Sequence, residues 1–174
     1  MHILYNLLFL VAAIKWGDWK NRRTYYPTWL FFVGGDLFKN TLLHDHMLWS
    51  YKETIFGTQF LFGHFIINIV IMLFAYSSTL LIYLGNFPKQ PYKQVLWILF
   101  WVVVYSSIEF INRDYLHLIE HHYGWNMYWS ILFNIVMFSV LKLHVKRPLA
   151  AWIISILAII VLLKSFDIPK ESFK

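Results

Sequence analysis

Residues 95–129 read VLWILFWVVVYSSIEFINRDYLHLIEHHYGWNMYW, and how that stretch divides decides the fold. Its first half is an unbroken apolar run too long for a buried strand, so it reads as a helix crossing a bilayer. Its second half, from Glu109 to Trp129, packs Glu109, Asp114, Glu120, His117, His121 and His122 into a polar island. Another apolar run begins directly after it. A polar segment between two such runs is the pattern of a loop joining membrane helices.

The rest of the chain fits that reading. Of 174 residues, 59% are apolar and 14% charged, and mean hydropathy is +0.54. A soluble domain carries about a quarter charged residues. The fold class expected is all-α, a polytopic membrane bundle of five to six transmembrane helices. Residues 1–164 form one transmembrane domain and 165–174 a polar C-terminal tail. Aromatic residues make up 21% of the chain, which suits helix ends at the headgroup level. Cysteine is absent, which excludes disulfides and thiolate metal sites. The net charge of +6 does not indicate nucleic acid, because the basic residues are scattered between apolar spans. The partner that composition implies is the lipid bilayer.

The expected spans are residues 3–14, 28–43, 60–84, 92–111, 127–141 and 149–163. The first is short for a ~30 Å hydrocarbon core, which takes roughly 20 residues. A signal peptide is its rival, but no basic region precedes it and no small-residue cleavage site follows. Pro27 fits the first turn of the second span. That span carries Asp36 and Lys39, three residues apart and so able to pair. A lone charge at that depth costs at least ~2.5 kcal/mol. The pair either packs across a Gly34–Gly35 notch or lines a cavity. Asn68, Asn134, Ser77, Ser78, Ser106 and Ser107 are read as contacts between helices.

Basic residues alternate between loops. Lys15, Lys20, Arg22, Arg23, Lys89, Lys93, Lys142, Lys146 and Arg147 follow the odd-numbered spans, against Lys52 and Arg113 after the even ones. The positive-inside rule makes the first set cytoplasmic and places the protein in the cell membrane with both termini outside. Lys164, Lys170 and Lys174 in the tail run mildly the other way. The loops bearing His44, Asp45, His46 and His64, and Glu109, Asp114, His117, Glu120, His121 and His122, then share the outer face. Only His144 falls on the inner side. Whether the two outer loops touch is a matter of distance.

Histidine with carboxylate suits a transition metal such as zinc or iron. Asp114, His117 and His121 are spaced to share one helical face. His44, His46 or His64 could complete a site from the facing loop, although no complete zinc-binding pattern is present. HLIEHH (residues 117–122) resembles one histidine box of membrane fatty-acid desaturases, but those enzymes need further boxes and carry them on the cytoplasmic side. The preferred function is a non-enzymatic accessory or sensory component acting through this rim. It could work as a homo-oligomer or with another membrane protein. The alternatives are a metal-dependent membrane enzyme using the rim and a transporter subunit using Asp36 and Lys39.

The W-x-D-W-K-x-x-x-x-Y-Y-P-T link (Trp16 to Thr28), IEF near the end of the fourth span, GWNMYWS (Gly124 to Ser130) and KRPLAAW (Lys146 to Trp152) together resemble a family of small multi-pass membrane proteins. That family occurs mainly in endospore-forming Gram-positive bacteria of the bacillus and clostridium type. The resemblance implies five or six helices in the cell membrane. It is a family without an assigned activity or cofactor, so no catalytic role carries over.

Overall fold

Prolines and caps set where the helices begin. Pro91 and Pro148 take opening helical positions, where the missing N–H costs nothing. The Asn126 side chain accepts from the Tyr128 and Trp129 amides at 3.0 and 3.4 Å and so starts another helix. The computed structural model describes residues 2–44, 46–52 and 68–168. In order these are α1 (His2–Trp16), α2 (Arg22–Leu42), β1 (Trp49–Tyr51), α3 (Asn68–Tyr83), α4 (Pro91–Tyr115), β2 (Ile119–His121), α5 (Met127–Lys146) and α6 (Pro148–Ser165). Of the described residues 76% are helical, in six helices.

Three of them, α4, α5 and α6, are long and apolar enough to cross a membrane. α1 and the described part of α3 are apolar but shorter. α2 is long but carries Arg22, Arg23, Asp36 and Lys39. Of the five to six spans expected, three are matched by helices of spanning length and apolarity among the described residues. Large apolar side chains face outward along these helices, with Val11, Val103 and Ile153 each about 60% exposed. Such a surface suits lipid.

Several boundaries differ from expectation. α2 starts at Arg22, so Pro27 lies inside it. The intrahelical bond that Pro27 cannot make belongs to the carbonyl of Arg23, an exposed residue at the helix end, where water can satisfy it. The basic link expected at residues 142–148 is helical up to Lys146, leaving Arg147 alone between α5 and α6. Lys146 in the last turn of α5 offsets the negative end of its dipole. Beyond α6, Ile168 is buried and Phe166 packs beside it, while residues 169–174 lie outside the described set. Gly34 and Gly35 form no packed notch with the described residues, because a Cβ at either would meet none of them within 4 Å.

α5 is the hub, packed against α4, α6 and α2, while α3 joins α1 and α2. Its core is aromatic. The Tyr83 hydroxyl donates to the Phe138 carbonyl at 2.7 Å, and Trp97 donates to the Tyr83 carbonyl at 3.0 Å. Asn134 donates to Ser106 Oγ at 3.2 Å, so these two make the contact between helices expected of each.

All three basic links meet at one end. The Asp18 amide donates to the Leu81 carbonyl at 3.1 Å, and Asn86 donates to the Trp16 carbonyl at 2.9 Å. Lys142 lies 4.0 Å over the Phe87 ring. His144, buried at the same end, shares a 3.0 Å hydrogen bond with Thr28 and stacks on Phe31. Asp18 organises the α1–α2 link. It accepts from Tyr25 at 2.7 Å and from the Asn21 side chain at 2.8 Å. These bonds hold its carboxyl below the usual range, and burial with the same bond pushes the Tyr25 hydroxyl up to about 12. Gly85 lets the two links close: a Cβ there would stand 2.5 Å from Asp18 Cβ and 2.4 Å from the Leu81 carbonyl oxygen. Gly85→Ala is expected to destabilise the protein by about 1–3 kcal/mol, as overpacking does. Thermal unfolding in detergent checks this, with Gly34→Ala, which clashes with nothing, as the stable control.

Candidate functional site

The opposite end holds the polar island, and its two loops touch. β1 and β2 pair antiparallel, with Trp49 opposite His121, Ser50 opposite Glu120 and Tyr51 opposite Ile119. The His122 amide donating to the Leu48 carbonyl at 2.9 Å and the Lys52 amide donating to the Leu118 carbonyl at 2.8 Å extend the pairing. Trp49, Trp125, Trp129, Phe133, Leu48 and Phe166 pack beneath it as a separate apolar cluster. The strand pair is thus pinned across the bundle.

The island does not form the helical face that its spacing predicts. α4 ends in a π-helical turn, Ile111–Tyr115, and His117 then takes a left-handed conformation at φ 52° before β2 begins. Asp114, His117 and His121 consequently stand on a helix end, a turn and a strand. Asp114 pairs with Arg113 at 2.8 Å, and Glu120 pairs across the strands with Lys52, which holds its carboxyl below the usual range. His122 Nε2 shares a 2.9 Å hydrogen bond with Ser50. His46 stacks on Tyr123, and His44 stands in the turn after α2. His64 and Asp45 lie outside the described residues. Among the described residues no three His, Cys, Asp or Glu side chains converge on a point where a metal could sit.

His121 and Glu109 instead centre a hydrogen-bonded chain. Arg113 Nη1 reaches His121 Nδ1 at 3.3 Å, and a guanidinium can only donate. Nδ1 therefore accepts, and Nε2 carries the proton that it gives to Glu109 Oε1 at 2.8 Å. Ser130 Oγ donates to the same Oε1 at 2.5 Å and accepts from Trp125 Nε1 at 2.8 Å. The imidazole meets the carboxylate and not the serine. The hydroxyl donates to a carboxylate instead of an imidazole, so the serine, histidine and acid do not stand in the order of a Ser-His-Asp triad.

Glu109 also looks inward, onto a cavity of about 610 Å³ between the helices. That is the size of a site for a small molecule. Its walls are mostly apolar, with Phe31 and Phe32 from α2 and Trp152, Ile156 and Ile159 from α6. Toward the strand pair they turn polar, with Asp36, Lys39, Tyr51, Tyr76, Glu109 and Asn112. Lys39 bonds Asp36 Oδ1 at 2.9 Å and lies 3.9 Å over the Trp49 ring. Burial pushes the Tyr51 hydroxyl above its ordinary range, and the charges of Asp36 and Glu109 push the same way. Tyr51 therefore remains a hydroxyl facing both carboxylates. The π-helical turns of α3 and α4 supply Tyr76 and Asn112 to this wall. Such turns, rare in general, recur where a helix is reshaped for function.

Of the residues singled out by sequence, the structure gathers Asp36, Lys39 and Glu109 on the cavity and joins His121 to Glu109. Glu120, His122, His46 and Asp114 are tied into the strand pair or its edge. Sequence reasoning missed Tyr51, Arg113, Trp125 and Ser130 as parts of the site. Asn112, three residues after Glu109, carried a readable helical signal. Tyr51 and Ser130 carried none, because each reaches the site through tertiary packing. No protein-family model, curated protein or solved structure matches the chain.

Proposed function

We propose that this chain is a multi-pass membrane protein that holds a small amphiphilic molecule between its helices, as a non-enzymatic binding or sensory component. One observation carries the reading: a ligand-sized cavity with apolar walls along α2 and α6 and a polar end under the strand pair. An amphiphile matches both regions at once. The hydrogen-bonded chain from Arg113 to Trp125 then links the polar end to the strand pair, so occupancy can be felt at the rim. α1, α2 and α3 complete six spans in this reading, since they pack in one bundle with the longer helices. The segregation of nine basic residues to the far end supports placing the rim outside the cell.

The test uses protein released from detergent micelles and weighed by native mass spectrometry after incubation with dodecanol, dodecylamine and dodecanoic acid. One bound amphiphile per chain is expected for at least one of the three. Gly35→Phe, whose side chain would enter the cavity, is expected to lose it. Binding of none, or equal binding in Gly35→Phe, would overturn the reading.

A further inference from the structure

The polar end of the cavity has a definite chemical sense. Among the described residues its charged lining is Asp36, Glu109 and Lys39, two carboxylates against one ammonium. Lys39 is already committed, held between Asp36 Oδ1 and the face of Trp49. His121 adds no positive charge in the tautomer set by Arg113, and Arg113 itself is neutralised by Asp114. The wall is left with an excess of negative charge.

Its hydrogen-bonding deficit has the same sign. Asn112 Oδ1 is buried and accepts no hydrogen bond from any described residue; Asp36 Oδ2 is likewise without a bond of good geometry, although the Tyr76 hydroxyl lies beside the Asp36 carboxylate. Asn112 is 4% exposed, and its amide nitrogen already donates to the Ile108 carbonyl at 2.7 Å, so what remains is an acceptor. Buried acceptors of this kind normally find a donor. Trp101 Nε1, a buried donor with no partner among the described residues, is not among the cavity's described lining. Tyr51, Tyr76 and Tyr105 also line the cavity, and aromatic rings favour a cation.

We infer that the cavity selects a cationic amphiphile whose head is a protonated amine carrying N–H bonds, with Asp36, Glu109 and Asn112 receiving the head and α6 lining the tail. This rests on the amphiphile-binding reading and adds the class of head group. An alkyl phosphate, sulfate or carboxylate would meet two carboxylates, and an alcohol would supply one donor and no charge.

Head groups decide it. An equimolar mixture of dodecylamine, dodecyltrimethylammonium, dodecanol and dodecanoic acid is offered to the full chain, and bound species are counted by native mass spectrometry. The primary amine is expected to be retained at least tenfold over the alcohol and the acid, and severalfold over the trimethylammonium, which has charge but no N–H. Asp36→Asn and, independently, Glu109→Gln are expected to reduce the preference over dodecanol to less than threefold while an amphiphile is still bound. The second variant leaves the Asp36–Lys39 pair intact and so guards against misfolding of the first. Equal retention of alcohol and amine, preference for the acid, or a trimethylammonium held as well as the amine would each overturn the inference and leave the cavity reading standing. Retention of nothing would overturn that reading itself.

Discussion

Trp125→Ala is expected to lower stability by about 3–5 kcal/mol, the range for removing a buried tryptophan. Trp125 is 5% exposed and sits where the second polar loop meets the bundle. Its ring lies 4.8 Å from that of Trp49 and 5.5 Å from that of Phe166, so it touches β1, its own loop and the chain after α6 together. Its N–H also fixes Ser130 at 2.8 Å. Truncation opens a void under the strand pair and releases that hydroxyl. Trp125→Phe keeps most of the packing and is expected to cost about 1–2 kcal/mol, mainly the lost hydrogen bond. Unfolding in detergent followed by near-ultraviolet circular dichroism separates the two. A Trp125→Ala protein within ~1 kcal/mol of the parent would show that the strand pair is not anchored through this residue.

Glu109→Ala is expected to cost about 3 kcal/mol, because it strands two buried donors at once. His121 Nε2 and Ser130 Oγ both point at Glu109 Oε1, and the His121 side chain is only 8% exposed. Hydrogen bonds between membrane helices average about 0.6 kcal/mol in double-mutant cycles, so an ordinary polar contact would show little. A cycle between Glu109→Ala and His121→Ala is expected to give a coupling of about 1–2 kcal/mol, which marks a charge-assisted pair. A coupling below ~0.5 kcal/mol would mean that the two side chains act separately. Glu109→Gln, which retains an acceptor oxygen, is expected to recover more than half of the loss.

Residues 95–129 hold both what the sequence could determine and what it could not. Apolar runs of fixed length, Pro91 and Pro148 as helix openers, and the uneven spread of basic residues are local or additive signals. They sufficed for a mostly helical chain with helices long and apolar enough to cross a membrane, and for two chemically distinct ends. The pairing of Asp36 with Lys39 was legible too, because a helix brings residues three apart together. The D-x2-H-x3-H spacing misled for the converse reason: it presumes a helix, and α4 gives way through a π-helical turn to a left-handed His117 and a strand. Strand register, by contrast, joins Trp49 to His121 across 72 residues that share no local pattern. Tertiary structure alone decided that Glu109 faces inward onto a cavity and that His121 serves it as a hydrogen-bond donor. A cavity is the space that helices fail to fill. No single residue encodes it, and it exists only once all six have packed.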